Sequence, residues 1–156
     1  MSRSIDGKRN FMDTNHSTEE HRGKFANRTQ ARTVAFQILY QDDMNPGSLE
    51  QFAESYLEQE LPKHEPLLRF ARSLIQGVNN NREEIDRILS EVAEHWALSR
   101  MNVTDRSILR LAACEILYLD TPKPVVINEA VELAKKFGTA DSAAFVNGIL
   151  DKVQAT

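Results

Sequence analysis

One cysteine, five prolines, six glycines and a single tryptophan in 156 residues deprive several protein classes of their raw material. With Cys114 alone, no internal disulfide can close and no cysteine-based zinc site can be built. Cys114 lies within the apolar run Ile108 to Leu119 and reads as a small buried side chain. No apolar stretch approaches the ~20 residues of a membrane-spanning helix, and the N-terminus lacks the apolar core of a signal peptide, so a cytoplasmic location is expected. The histidines His16, His21, His64 and His95 fall into no metal-ligand spacing, and there is no Gly-rich phosphate loop or nucleophile elbow. No catalytic residue, metal or cofactor is therefore expected.

What remains is an ordinary globular composition, 41% apolar and 27% charged, at a length that suits one folded unit. The net charge of −4 argues against a protein that coats nucleic acid over its whole surface. The charge is uneven, however. Residues 1–32 carry seven Lys/Arg (Arg3, Lys8, Arg9, Arg22, Lys24, Arg28, Arg32) against four acids, a net +3 that leaves −7 on the rest. A basic leading segment on an acidic body suggests a localised polyanion contact. Residues 1–26 are polar and without periodicity, and are expected to form a flexible tail.

From Asn27 the apolar residues take helical spacing. Ala31, Val34, Ala35, Ile38 and Leu39 form the first stripe, ending before the turn cluster Asn45-Pro46-Gly47. A second helix is predicted from Ser48 to Pro62. Pro66 suits the first turn of a third, whose stripe Leu67, Leu68, Ala71, Leu74, Ile75 and Val78 resumes at Ile85, Ile88, Leu89 and Val92, as one helix or two nearly continuous ones. Trp96, Leu98 and Met101 make a connector. Thr104 is the predicted N-cap of the next helix, with Asp105 complementing its dipole. Pro122 and Pro124 precede a helix with stripe Val126, Ala130, Leu133, Ala134 and Phe137, stopped by Gly138. Asp141 or Ser142 caps a last helix with Phe145, Val146, Ile149, Leu150 and Val153 on one face. Asn147-Gly148 is a hairpin signal, but its flanks keep helical spacing; inside a helix Gly148 costs about 1 kcal/mol against Ala, acceptable where another helix or a ligand approaches the backbone. The expected fold is all-α, with about seven helices in two groups, residues 27–94 and 95–156.

The row Arg28, Arg32, Phe36, Tyr40, spaced by four, runs along one side of the first helix. Guanidinium groups fit phosphate oxygens and aromatic faces stack on unpaired bases, so the row suits single-stranded RNA. Alternatively, the aromatics extend the core face and the arginines are merely solvated. Arg100, one helical turn after Trp96, can lie over the indole or stay in solvent. Glu115 shares a face with Leu111, Ala112 and Leu119 and is expected to be a buried hydrogen-bonding hub.

Three ordered blocks carry a family resemblance. Ala31-Arg32, Ala35, Gln37 and Leu39-Tyr40 form the first, and Ile108-Leu109-Arg110-Leu111-Ala112 with Glu115 the second. The third joins Val126-Ile127-Asn128-Glu129-Ala130 through Phe137-Gly138 to Phe145-Val146-Asn147-Gly148-Ile149-Leu150-Asp151. Together they resemble the NusB family of bacterial transcription antitermination factors. The resemblance implies a compact two-part helical domain that binds the boxA element of nascent ribosomal RNA as a heterodimer with NusE, a small-subunit ribosomal protein, within the RNA polymerase antitermination complex. It implies phosphate contacts from Arg28 and Arg32, supplemented by Lys24, and RNA-side roles for Arg100, Asp141 and Phe145. Tyr40, Asp105 and Arg106 are implied on the protein-partner side. One departure is Thr29-Gln30, where the family often has further arginines.

Two other readings remain. The same helical module resembles the N-terminal RNA-binding part of ribosomal RNA cytosine methyltransferases, whose Gly-rich cofactor loop and catalytic domain are not seen in this sequence. A purely protein-binding helical module, self-associating as a homodimer, is the other.

Overall fold

The computed structural model describes residues 28–155. The expected tail, with Arg22 and Lys24, lies outside the described residues. Among them there are seven α-helices and no strand: α1 (28–44), α2 (Leu49–Glu60), α3 (Glu65–Asn80), α4 (Arg82–Val92), α5 (Val103–Tyr118), α6 (Lys123–Phe137) and α7 (Ser142–Asp151), with a 3-10 turn, Leu98–Arg100, between α4 and α5. All of the first stripe is buried, as are the six predicted core residues of α3.

α5 organises the rest. Its residues Ile108, Leu109, Leu111, Ala112, Ala113, Cys114 and Ile116 are buried around most of its circumference, which makes it a central helix rather than a surface one. It packs against α3, α4, α6 and α7, so residues from both predicted groups share one hydrophobic core. The thiol of Cys114 is pushed up to about 12, first by burial and then by the neighbouring Glu115 carboxylate, and is no nucleophile.

The local signals act where expected, with informative exceptions. Pro66 stands in the first turn of α3. The predicted long helix divides at Asn81, whose side-chain amide and backbone N–H both donate to the Gly77 carbonyl (2.9 and 3.1 Å), closing α3 as α4 begins. Thr104 is not the cap of α5. The helix starts earlier, and Asn102 is the N-cap, its Oδ1 accepting from the Asp105 N–H at 2.8 Å. Between α1 and α2, Asp42 Oδ1 accepts from the N–H groups of Gly47 and Leu49, and Gly47 adopts φ +94°, a conformation that favours glycine. Gly138 ends α6 in extended backbone, φ −94°; glycine is required there for room, since a Cβ would collide with Ser142 and the Ala134 carbonyl.

Two glycines within helices have opposite surroundings. A Cβ on Gly77 would stand 2.5 Å from Cys114 Sγ, whereas one on Gly148 would meet nothing within 4 Å. Among the described residues, no other helix approaches Gly148 closely. Gly77→Ala is expected to destabilise the protein by about 1–3 kcal/mol through overpacking, and Gly148→Ala to stabilise it by about 0.5–1 kcal/mol through helix propensity. Urea unfolding of the two variants checks this: the midpoints should move in opposite directions.

Candidate functional site

The arginine row on α1 separates into one displayed and one buried member. Arg28 is exposed, its guanidinium stacked 4.6 Å from the centroid of the Phe70 ring on α3. Arg32, one turn on, is 4% exposed. Its Nε and Nη2 donate to the two carboxylate oxygens of Glu115 at 2.8 and 2.7 Å, Glu129 lies 3.6 Å from Nη1, and Phe70 lies beside it at 5.1 Å. Glu115 is the buried hub expected, at 1% exposure. The expectation of a phosphate contact from Arg32 is corrected accordingly: a guanidinium buried in a bidentate pair is not offered to an outside anion. Phe36 is buried as well, packed 5.0 Å from Phe137, so this ring extends the core. Thr29 donates its hydroxyl to Glu129 at 2.8 Å.

A second cluster forms where the connector after α4 meets the start of α7. Trp96 is 57% exposed and meets half-buried Phe145 edge to face, centroids 5.5 Å apart at 81°. Arg100 is exposed. Among the described residues its guanidinium has no ion-pair, hydrogen-bond or ring partner, so it does not lie over the indole. Asp141 is also exposed, at the N-cap position of α7 and without a side-chain capping bond; Ser142 Oγ instead accepts from the Thr139 N–H at 2.9 Å. Arg28 does not join this cluster. Trp96 and Phe70, which make the ring contacts of these two clusters, are not among the site residues expected from the sequence. The signal in the sequence was an aromatic placed off the buried stripe: Phe70 lies between Leu67, Leu68 and Ala71, and Trp96 beyond the end of α4.

The residues implied for a protein partner divide similarly. Tyr40 is half-buried and lines an open cleft of about 670 Å³ with Phe36, Gln37, Phe52, Tyr56 and Thr104. The Tyr56 hydroxyl donates to Gln37 at 2.9 Å, and burial, with the Glu60 charge second, raises its pKa. Asp105, expected at an exposed helix start, is 7% exposed, with Oδ2 accepting from Asn102 Nδ2 at 3.1 Å. That expectation is corrected: Asp105 and Asn102 cap each other. Arg106 is engaged internally through all three nitrogens. Nε and Nη2 reach Asp43 at 2.9 and 2.8 Å, and Nη1 donates to the carbonyls of Leu98 and Met101 at 2.9 and 3.2 Å. It anchors the connector to α1 and α5 rather than projecting outward.

No group of three or more His, Cys, Asp or Glu suited to a metal ion occurs among the described residues. Three surface features stand out among the described residues: an arginine stacked on Phe70, exposed Trp96 set against half-buried Phe145 beside Arg100, and an aromatic cleft. The family model described as "NusB family" matches residues 29–155. The chain belongs to the NusB family. Among its family relatives, the transcription antitermination protein NusB of Geobacter sp. (strain M21) is 43% identical over 137 residues, covering 83% of this chain and 94% of that protein. The NusB of Myxococcus xanthus (strain DK1622) is 43% identical over 130 residues, covering 81% and 93%. Of solved NusB structures, that of T. maritima NusB superposes with a TM-score of 0.73 at 37% identity, covering 83% of this chain and 93% of that one. A crystal structure of the antitermination factors NusB and NusE in complex with dsRNA gives a TM-score of 0.74 at 28% identity, covering 82% and 96%.

Because Arg106 holds two carbonyls and a carboxylate, Arg106→Ala is expected to destabilise the isolated protein by about 1–3 kcal/mol, the cost of stranding part-buried polar partners. A urea midpoint lowered with no partner present supports this anchoring role; an unchanged midpoint would return Arg106 to the surface.

Proposed function

We propose that this chain is a transcription antitermination factor that binds the boxA element of nascent ribosomal RNA as a heterodimer with NusE, helping RNA polymerase resist termination. The observation that carries this reading is the likeness, over most of both chains, to the NusB of a NusB–NusE–RNA complex. The role is recognition without bond chemistry. Specificity comes from splayed bases read jointly by the two proteins, and either alone binds more weakly. No helix among the described residues is long and apolar enough to cross a membrane, and we place the factor in the cytoplasm, with nascent transcripts.

The RNA side is assigned to Arg28, Arg100, Asp141 and Phe145, with Lys24 as a further cation. Stacking on Phe70 orients the Arg28 guanidinium while leaving it exposed, which suits a phosphate oxygen. Arg100 needs to give up no partner to meet another. Asp141 can accept a hydrogen bond from a base amino group or a ribose hydroxyl. The cleft beside Tyr40 is assigned to NusE, its aromatic lining supplying the apolar anchor that protein interfaces favour.

Labelled boxA RNA titrated with the protein, with and without its cognate NusE, tests the reading. Binding should tighten with NusE and weaken with salt. Arg28→Ala and Arg100→Ala should each lower affinity and reduce the log–log salt slope by about one. Absence of RNA binding with NusE present would overturn the proposal.

A further inference from the structure

Trp96 is the only tryptophan of the chain, and it is 57% exposed. Tryptophan is among the costliest side chains to leave in water, since its large apolar area dominates cores and interfaces. Among the described residues its ring meets one other, Phe145, at 81°. In an edge-to-face pair, at most one face of the indole is covered, so at least one is left uncovered by Phe145 whichever ring presents its edge. The pairing also holds the indole against a half-buried residue of α7. A largely exposed indole, with one face that Phe145 does not cover, is thus held in a defined orientation.

The ground around it narrows the occupant. Trp96 lines an open groove of about 670 Å³ with Ser90, Glu94, His95, Ser99 and Arg100, within the size range of ligand clefts, about 300–1,000 Å³. The exposed Glu94 carboxylate in the lining disfavours a phosphate beside it but not a neutral, flat group. His95 and Ser99 can donate to or accept from the edge of such a group, and exposed Arg100, also in the lining, can meet a phosphate. A planar heterocycle with polar edges and a phosphate a few ångströms away is a nucleotide.

We infer that the open face of Trp96 is the stacking platform for one unpaired base of the bound RNA, buttressed by Phe145 and bordered by Arg100. This rests on the RNA-binding reading above. It adds a specific base-sized site to that reading, on a residue outside the positions that the family resemblance implies. Phe145 becomes chiefly a positioning residue, acting through the indole it supports.

Because Trp96 is the only tryptophan, its fluorescence reports on this site directly. The protein is titrated with end-labelled single-stranded RNA, alone and with NusE, following RNA anisotropy and tryptophan emission in parallel; Trp96→Phe serves as the emission blank. Stacking predicts quenching at the same midpoint as the anisotropy change. Trp96→Ala should weaken binding roughly five- to a hundredfold, the range for one base–aromatic contact, and Trp96→Phe should retain most of it. Unfolding midpoints near wild type identify the variants as folded. RNA binding with unchanged emission and unchanged affinity of Trp96→Ala overturns the platform and spares the RNA-binding reading. Failure of the anisotropy to change overturns both. Emission that responds to NusE and not to RNA assigns the indole to the protein interface instead.

Discussion

The buried pair between Arg32 and Glu115 is the interaction on which the arrangement depends. It joins α1 to α5, the helix that also packs against α3, α4, α6 and α7, through two hydrogen bonds of 2.8 and 2.7 Å at a site almost without solvent. Two carboxylates, Glu115 and Glu129, converge on this guanidinium, and the Thr29 hydroxyl satisfies one oxygen of the second. Removing charges from water is expensive, and such a site holds only when its geometry is good and its remaining polar atoms are met. That demand fixes the rotation of α1 about its own axis. Once Arg32 points inward, the residue one turn earlier is set over Phe70 and the residues one and two turns later, Phe36 and Tyr40, are set at the rim of the aromatic cleft.

A single helix therefore contributes to two surfaces: Arg28 is exposed at its start and Tyr40 lines the cleft near its end, the places the proposed function gives to RNA and to NusE. The other cations near these surfaces are mostly occupied: Arg106 and Arg110 both reach Asp43, and Arg110 also reaches Asp86. Internal ion pairs of this kind reduce the positive charge offered outward, in keeping with a net charge of −4. An acidic protein that binds RNA must do so at a few chosen points, with stacking sharing the work. Under the proposed function, exposed Trp96, set edge to face against half-buried Phe145 of α7, offers that second means.

The fold was legible because helical periodicity reports burial directly. The stripe of α3 was read in full, and Pro66 and Pro62 marked boundaries that the helices respect. Where the reading of α5 missed, one local partner stood in for another: Thr104 looked like a cap, but Asn102, two residues earlier, makes the bond. Asp105 does stand in the first turn, but its carboxylate is buried against Asn102 instead of exposed. The site was less legible. Arginines at a spacing of four look equivalent in sequence, and only the position of Glu115, 83 residues away, makes Arg32 a core residue while Arg28 stays outside. The pairings of Arg106 with Asp43 and of Trp96 with Phe145 are likewise tertiary facts that no periodicity carries.

The most direct test of this account is a paired measurement on Arg32→Ala and on the double variant Arg32→Met/Glu115→Leu: urea unfolding free energy, and the salt slope of boxA RNA binding with NusE present. If Arg32 is the structural clamp, Arg32→Ala should lose about 3–5 kcal/mol by stranding a buried carboxylate, while the double variant recovers most of that stability and keeps the wild-type salt slope. Wild-type stability in Arg32→Ala, together with a slope reduced by about one phosphate contact, would place Arg32 on the RNA and contradict the account.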